Sequence, residues 1–259
     1  MATLPDAPRI TPAGVRFYFY LVMAFVMALT IVAGFSLNLA MGRSTFNAPW
    51  YVHTHAILSM GWIGLYLAQH ITVATGNFAL HARLGKLAYL WVPAIMVAGT
   101  AVMAGLIRAN GGPFFFHKAE FLISNSMMLW CFGGLTLWAL TRRRYTGWHR
   151  RLMLCGMAIL TGPGIGRLLP APLLIPNAWQ IIFALTLIWP MIGMAADVRR
   201  DGRVHPAYLW GTGIIVGTFM LSMLFAYSDA GMAFTQEFVA GTPGAERPME
   251  PFLPPGFAM

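Results

Sequence analysis

Apolar residues run along this chain in blocks of about twenty, separated by short polar or basic segments. Seven blocks stand out, at 16–41, 52–75, 86–107, 119–141, 150–169, 178–197 and 206–227. At 1.5 Å per residue, a helix of about twenty residues matches the roughly 30 Å of a bilayer's hydrocarbon core. The blocks are apolar nearly all round and show no period-two alternation, which is the pattern of a membrane-buried helix. The expectation is an all-α, polytopic integral membrane bundle of about seven transmembrane helices. Residues 1–15 form an N-terminal segment, 16–228 the transmembrane domain, and 229–259 a Pro-rich tail without a fold of its own.

The fifth block departs from the pattern. Thr-Gly-Pro-Gly-Ile-Gly-Arg at 161–167 puts a proline and three glycines into its second half, and a further Pro-rich stretch follows. A broken helix is expected there. Its freed backbone groups must then be buried in protein or face a water-filled cavity, because lipid cannot satisfy them. Two readings stand side by side: a site built around the break, or a kinked helix packed tightly through its glycines.

Composition supports the membrane reading: 58% of residues are hydrophobic and 10% charged, with a mean hydropathy of +0.65. A soluble domain carries about 25% charge. The net charge of +9 does not point to nucleic acid, because Lys and Arg lie in short clusters between apolar blocks. There they anchor to anionic headgroups and set orientation. With the N-terminus in the cytoplasm, twelve of the seventeen Lys and Arg fall on the cytoplasmic side, among them Arg142, Arg143, Arg144, Arg199 and Arg200. The positive-inside rule therefore predicts a cytoplasmic N-terminus, an external C-terminus and residence in the bacterial inner membrane. Residues 1–15 lack a basic n-region and short apolar core, so the first block reads as a retained anchor, not a cleaved signal. Cys131 and Cys155 lie inside blocks and outside any CxxC pattern; they read as small core residues.

Ionisable side chains inside spans are costly and carry functional hypotheses. On the external side stand His53 and His55 in the second block and His117 and Glu120 at the start of the fourth. Imidazoles and a carboxylate suit zinc, copper or non-haem iron, and two histidines from different helices can ligate a haem. His53 and His55, two residues apart, point to opposite sides of a helix, so His55 is the better candidate. Towards the cytoplasm lie His70, His81 and His149. His55 and His70 are about 22 Å apart along one helix, which places one ligand in each leaflet. Arg167 closes the broken helix; its planar guanidinium suits a propionate, a quinone oxygen, a lipid phosphate or Glu120. Gln69, Ser124, Asn125 and Ser126 read as inter-helix hydrogen-bonding groups. The eighteen methionines are scattered and read as apolar filler. No nucleophile elbow, phosphate loop, HExxH or dinucleotide fingerprint is present, which leaves soluble-type hydrolase, kinase and nicotinamide chemistry without support.

Three stretches form a recognisable set: HAILSMGWIGLYLAQ at 55–69, LHARLGK at 80–86, and WHRRLML through GPGIGRL at 148–168. This set resembles uncharacterised bacterial membrane proteins marked by H-x-x-L with a later Gln, then H-R-x-L-G, then H-R-R-L-M-L and a closing Arg. The resemblance implies a shared polar set of His55, Gln69, His81, Arg83, Gly85, His149, Arg151 and Arg167, and brings no agreed activity. A looser architectural likeness is to two-haem transmembrane cytochromes of b type, and another is to small membrane proteins that help assemble haem-copper oxidases. The first expectation for function is thus a membrane-embedded redox or haem- or metal-handling protein. Its cofactor-binding candidates are His55, His70, His117, His149 and Arg167, and its metal candidates are His53, His55, His117 and Glu120. Haem b or a transition metal would be the cofactor, and lipids, a quinone or a larger complex the partners. The alternatives are a non-catalytic accessory or assembly subunit of a respiratory or photosynthetic complex, and a solute or lipid carrier using the broken fifth helix.

Overall fold

The computed structural model describes residues 12–257, with side chains from Tyr18 onward. Among the described residues the secondary structure is helical throughout, without a strand. Six helical stretches are long and apolar enough to cross a membrane: 18–40, 50–74, 88–110, 120–141, 178–201 and 206–226. Helix α1 spans Pro12–Ala40, α2 Trp50–Ala74, α3 Phe78–Gly85 and α4 Ala88–Asn110. A π-turn, Glu120–Ser124, leads into α5, Asn125–Thr141; then come α6, Thr146–Leu160, and α7, Gly162–Leu168. Helices α8, Ala178–Thr186, and α9, Ile188–Asp201, make up one interrupted stretch, followed by α10, Pro206–Ala226, and α11, Asp229–Val239.

The core lies where α5, α6 and α10 meet, around Phe132, Leu154, Cys155, Tyr208 and Ile215, all fully buried. Cys131 and Cys155 are buried there as free thiols. Gly156 lets α5 and α6 approach closely, since a Cβ there would stand 2.7 Å from Thr136 Oγ1. Large apolar side chains such as Leu29, Ile57, Leu90, Val97 and Leu224 face outward. That arrangement costs nothing where the surrounding solvent is lipid.

The fifth block is broken, as its composition predicts, and each half is too short to span alone. Only Thr161 separates α6 from α7, and the ladder continues through it with Ile165 N–H donating to Thr161 O at 2.9 Å. The break is packed in protein. Gly164 lies directly against the α1 backbone, where a Cβ would meet Ile31 Cα at 2.6 Å, and Gly34 faces Gly164 equally closely. The tight-packing reading of the glycines is the one the backbone adopts.

Two further details escape the block pattern. The stretch 178–201 is interrupted at Leu187, whose N–H donates to Ala184 O at 3.2 Å. Pro190 is the cause: it has no N–H to give to Thr186 and its ring crowds that carbonyl. Short α3 is capped by Asn77, whose side chain accepts from Leu80 N–H, and lies between two spans.

The tail was expected to lack structure of its own, and here the structure differs. Ser228 caps α11 by accepting from Gly231 N–H. Beyond it, residues 240–257 dock on the loop 111–119. Lys118 N–H donates to Met249 O at 2.9 Å, and Phe252 N–H to Phe114 O at 3.0 Å. Phe114 packs against Phe252 and Phe257. Pro-rich composition hid this because backbone hydrogen bonds, aromatic rings and the Lys118 and Arg247 side chains, not helical periodicity, hold residues 240–257.

The molecule therefore has two ends. One carries α3, the α5–α6 loop and Arg199–Arg203; the other carries loop 111–119, α11 and the tail.

Candidate functional site

At the arginine-rich end, α2, α3 and α6 bring together His70, His81 and His149. The rings of His81 and His149 meet edge to face with centroids 6.3 Å apart, and His70 lies within electrostatic reach of both. His70 Nδ1 is 2.9 Å from Tyr66 O, and His149 Nδ1 is 2.8 Å from Ala139 O. A carbonyl only accepts, so in both rings Nδ1 carries the proton and the Nε2 lone pair is left free. Gln69 supports this group. Its amide satisfies its neighbours when the nitrogen donates to His81 Nδ1 at 2.6 Å and the oxygen accepts from Gly85 N–H at 2.6 Å. Four residues of the polar set thus form one network: Gln69, His81 and Gly85 by hydrogen bonds, His149 by ring contact.

Two residues beyond His149 on α6, Arg151 forms an ion pair that the block pattern did not pair in advance. Arg151 and Asp197 are buried at 2% and 0% exposure and paired through two hydrogen bonds, Nε to Oδ2 at 2.7 Å and Nη2 to Oδ1 at 2.6 Å. Arg151 also donates to Gly147 O, and Asp197 accepts from His205 N–H at 3.2 Å. His205 stands outside the spans; burial, reinforced by the nearby Arg151, holds its imidazole below the ordinary histidine value. The available signal was Asp197 itself, a carboxylate at the end of an apolar block that requires a cationic partner.

The four metal candidates at the tail end do not form one group. His55, on α2, faces Gly99 and lies 3.5 Å from Ser59 Oγ through Nε2, while its Nδ1 is buried without a partner. Its charged neighbour is Arg167. Arg167 stacks over Phe35 at 4.0 Å and donates to Pro163 O, and it does not pair with Glu120. His53 makes no hydrogen bond or ring contact with a described residue. Among the described residues, no three His, Cys, Asp or Glu side chains converge where they could hold a metal ion.

His117 and Glu120 do share surroundings, apart from His55. Both are buried at 1% exposure. Ala119 N–H donates to His117 Nδ1 at 3.2 Å, and Nε2 faces Glu250 Oε1 of the tail at 3.4 Å. The His117 ring packs on Tyr227 at 4.9 Å. Burial holds the His117 imidazole below the ordinary histidine value, against the pull of Glu250. On Glu120, Oε1 accepts from Gln180 Nε2 at 2.7 Å and Tyr227 Oη at 2.8 Å. Burial, together with the Glu120 carboxyl, pushes the Tyr227 phenol up. Next to them Ser124 Oγ accepts from Trp179 Nε1 and Ser222 Oγ. Gln180, Tyr227 and Glu250 were not foreseen, because the polar pattern of their own segments gives no hint of a shared partner.

The tail is fastened over this group by two cations, the buried Lys118 and the half-buried Arg247. Lys118 Nζ donates to Gly244 O at 2.8 Å and Arg247 O at 2.6 Å, and Arg247 donates to Gly111 O and Phe116 O. Burial lowers the Lys118 ammonium and brings the Arg247 guanidinium down to about 10.

Set against models of protein families, curated proteins and solved structures, the chain matches none of them. Fold and sites together define a class: an all-helical chain with six helices of membrane-spanning length, a histidine group at its arginine-rich end and a buried carboxyl group beneath its tail.

Proposed function

We propose that this is a membrane-embedded redox or haem- or metal-handling protein of the bacterial inner membrane, working from His70 and His149. The observation that carries this reading is the pair of Nδ1–H groups held by backbone carbonyls. Ligating histidines are commonly prepared in this way, with the far nitrogen fixed by an acceptor and Nε2 offered to the metal. A bound haem or transition metal would supply one-electron chemistry. The chain's own contribution is to present two neutral imidazoles from α2 and α6, with the His81–Gln69 network beside them. His55, with Arg167 near it, is a second, separate histidine position in the other half of the bundle.

The proposed topology has seven crossings, with α6 and α7 acting as one broken span, the N-terminus and arginine-rich end in the cytoplasm, and the tail outside. It rests on the bias of basic residues. A cysteine introduced at Arg144 should be labelled by a membrane-impermeant thiol reagent only after cells are opened, and one at Ser44 without opening them. The reverse pattern would sink this orientation.

The test of function is the absorbance spectrum of protein purified in mild detergent after growth with haem, oxidised and dithionite-reduced, with a metal analysis. A Soret band with reduced α and β bands, lost in both His70→Ala and His149→Ala, is expected. A colourless, metal-free protein would overturn the reading and favour an accessory subunit, for which co-purifying partners are the next measurement.

A further inference from the structure

Two buried oxygens at the tail end have no partner: Glu120 Oε2 and Gln180 Oε1. They belong to two side chains already joined by the 2.7 Å bond from Gln180 Nε2 to Glu120 Oε1. An ionised carboxylate here would leave one of its oxygens, and an amide oxygen, without a donor at membrane depth, where lipid cannot satisfy a polar group. One proton removes both deficits. Placed on Oε2, it can be donated to Gln180 Oε1, closing the two-bond ring that a carboxylic acid forms with a primary amide. The Gln180 amide then uses its donor and its acceptor on the same partner.

We propose that Glu120 is a proton-binding site, resting as a carboxylic acid paired with Gln180. The local backbone suits such a role, because Glu120 opens a π-turn, an insertion that recurs at functional positions in helices. The neighbouring imidazole meets a solvent-exposed carboxylate. Glu250 is exposed at 73% and lies 3.4 Å from His117 Nε2. His117 and Glu120 both contact Tyr227, His117 through its ring and Glu120 through the phenol hydrogen bond. The titratable and charged groups around the carboxyl are His117 and Lys118 of the loop, Tyr227 after α10, and Arg247 and Glu250 of the tail. The two cations direct their donors at backbone carbonyls, not at Glu120.

The experiment is infrared spectroscopy of the whole protein in lipid across a pH series, reading the carbonyl stretch of a protonated carboxylic acid. The wild type should show this band at neutral pH, and Glu120→Gln should lose it while melting close to wild type, because an amide replaces the acid without adding charge. A wild type without the band, or a band that persists in Glu120→Gln, would overturn the proposal. If Glu120→Gln fails to fold, Gln180→Ala provides the reading: removing the acceptor should shift the band towards that of a free acid, and an unmoved band counts against the pair.

Discussion

At the scale of single residues, the bundle sorts its ionisable side chains into separate groups, His70, His81 and His149 at one end and His117 and Glu120 at the other. Histidines, Glu120 and Arg167 are conspicuous inside apolar blocks, since an ionisable group at membrane depth requires a reason. Which of them meet depends on how helices far apart in sequence pack, and no local pattern carries that. His55 and His117 are alike in sequence and stand in different surroundings, whereas His70, His81 and His149 come together. The Arg151–Asp197 pair shows the same limit, because its members are forty-six positions apart. Its buried geometry gives a direct prediction. Removing one partner of a buried pair strands a charge and costs roughly 3–5 kcal/mol, whereas replacing both with apolar residues of similar volume is often neutral. Asp197→Leu and Arg151→Met should each lower the thermal midpoint in detergent sharply, and the double variant should recover most of the loss. A double variant as unstable as the two losses combined would show that the pair acts through something other than its own charge balance.

At the scale of helices, span positions were legible to within a few residues, because length and apolarity are physical requirements of the bilayer. Breaks were legible where glycine and proline concentrate, at 161–167, and less so where a lone proline acts, as Pro190 does on α8 and α9. What sequence left open was the purpose of the break, a site or a close contact, and the backbone of α1 against Gly164 answers it. Substitution tests the contact. Gly164→Ala puts a methyl 2.6 Å from Ile31 Cα, and backbone atoms on both sides leave nothing flexible to yield. A destabilisation of about 1–3 kcal/mol is expected from overpacking, read as a lower thermal midpoint, while Gly217→Ala, which meets no atom within 4 Å, should be close to neutral. Equal effects at the two glycines would mean that helix propensity, not the α1–α7 approach, dominates.

At the scale of the whole molecule, the tail turns a bundle into a bundle with a cover, and its docking should respond to pH through His117. The Ala119 amide donates to Nδ1, so the neutral ring carries its proton on Nε2, facing Glu250. Burial holds this imidazole below its ordinary value of 6.5 in the folded chain, with Glu250 opposing the shift and Arg247 adding to it. The unfolded or undocked chain therefore takes up the proton first as pH falls. Stability from this group is complete above about pH 6.5 and declines below it, by at most about 1.4 kcal/mol per pH unit for a single proton. Limited proteolysis within 247–257 should accelerate between pH 6.5 and 5, and His117→Gln should flatten that dependence. Glu250→Gln should deepen it, because losing the carboxylate removes the one group that eases charging of the ring. Cleavage that is independent of pH in the wild type would mean that Lys118 and Arg247, whose bonds to backbone carbonyls persist throughout this range, hold the tail without help from His117. The cover would then be a fixed part of the fold and not a responsive one.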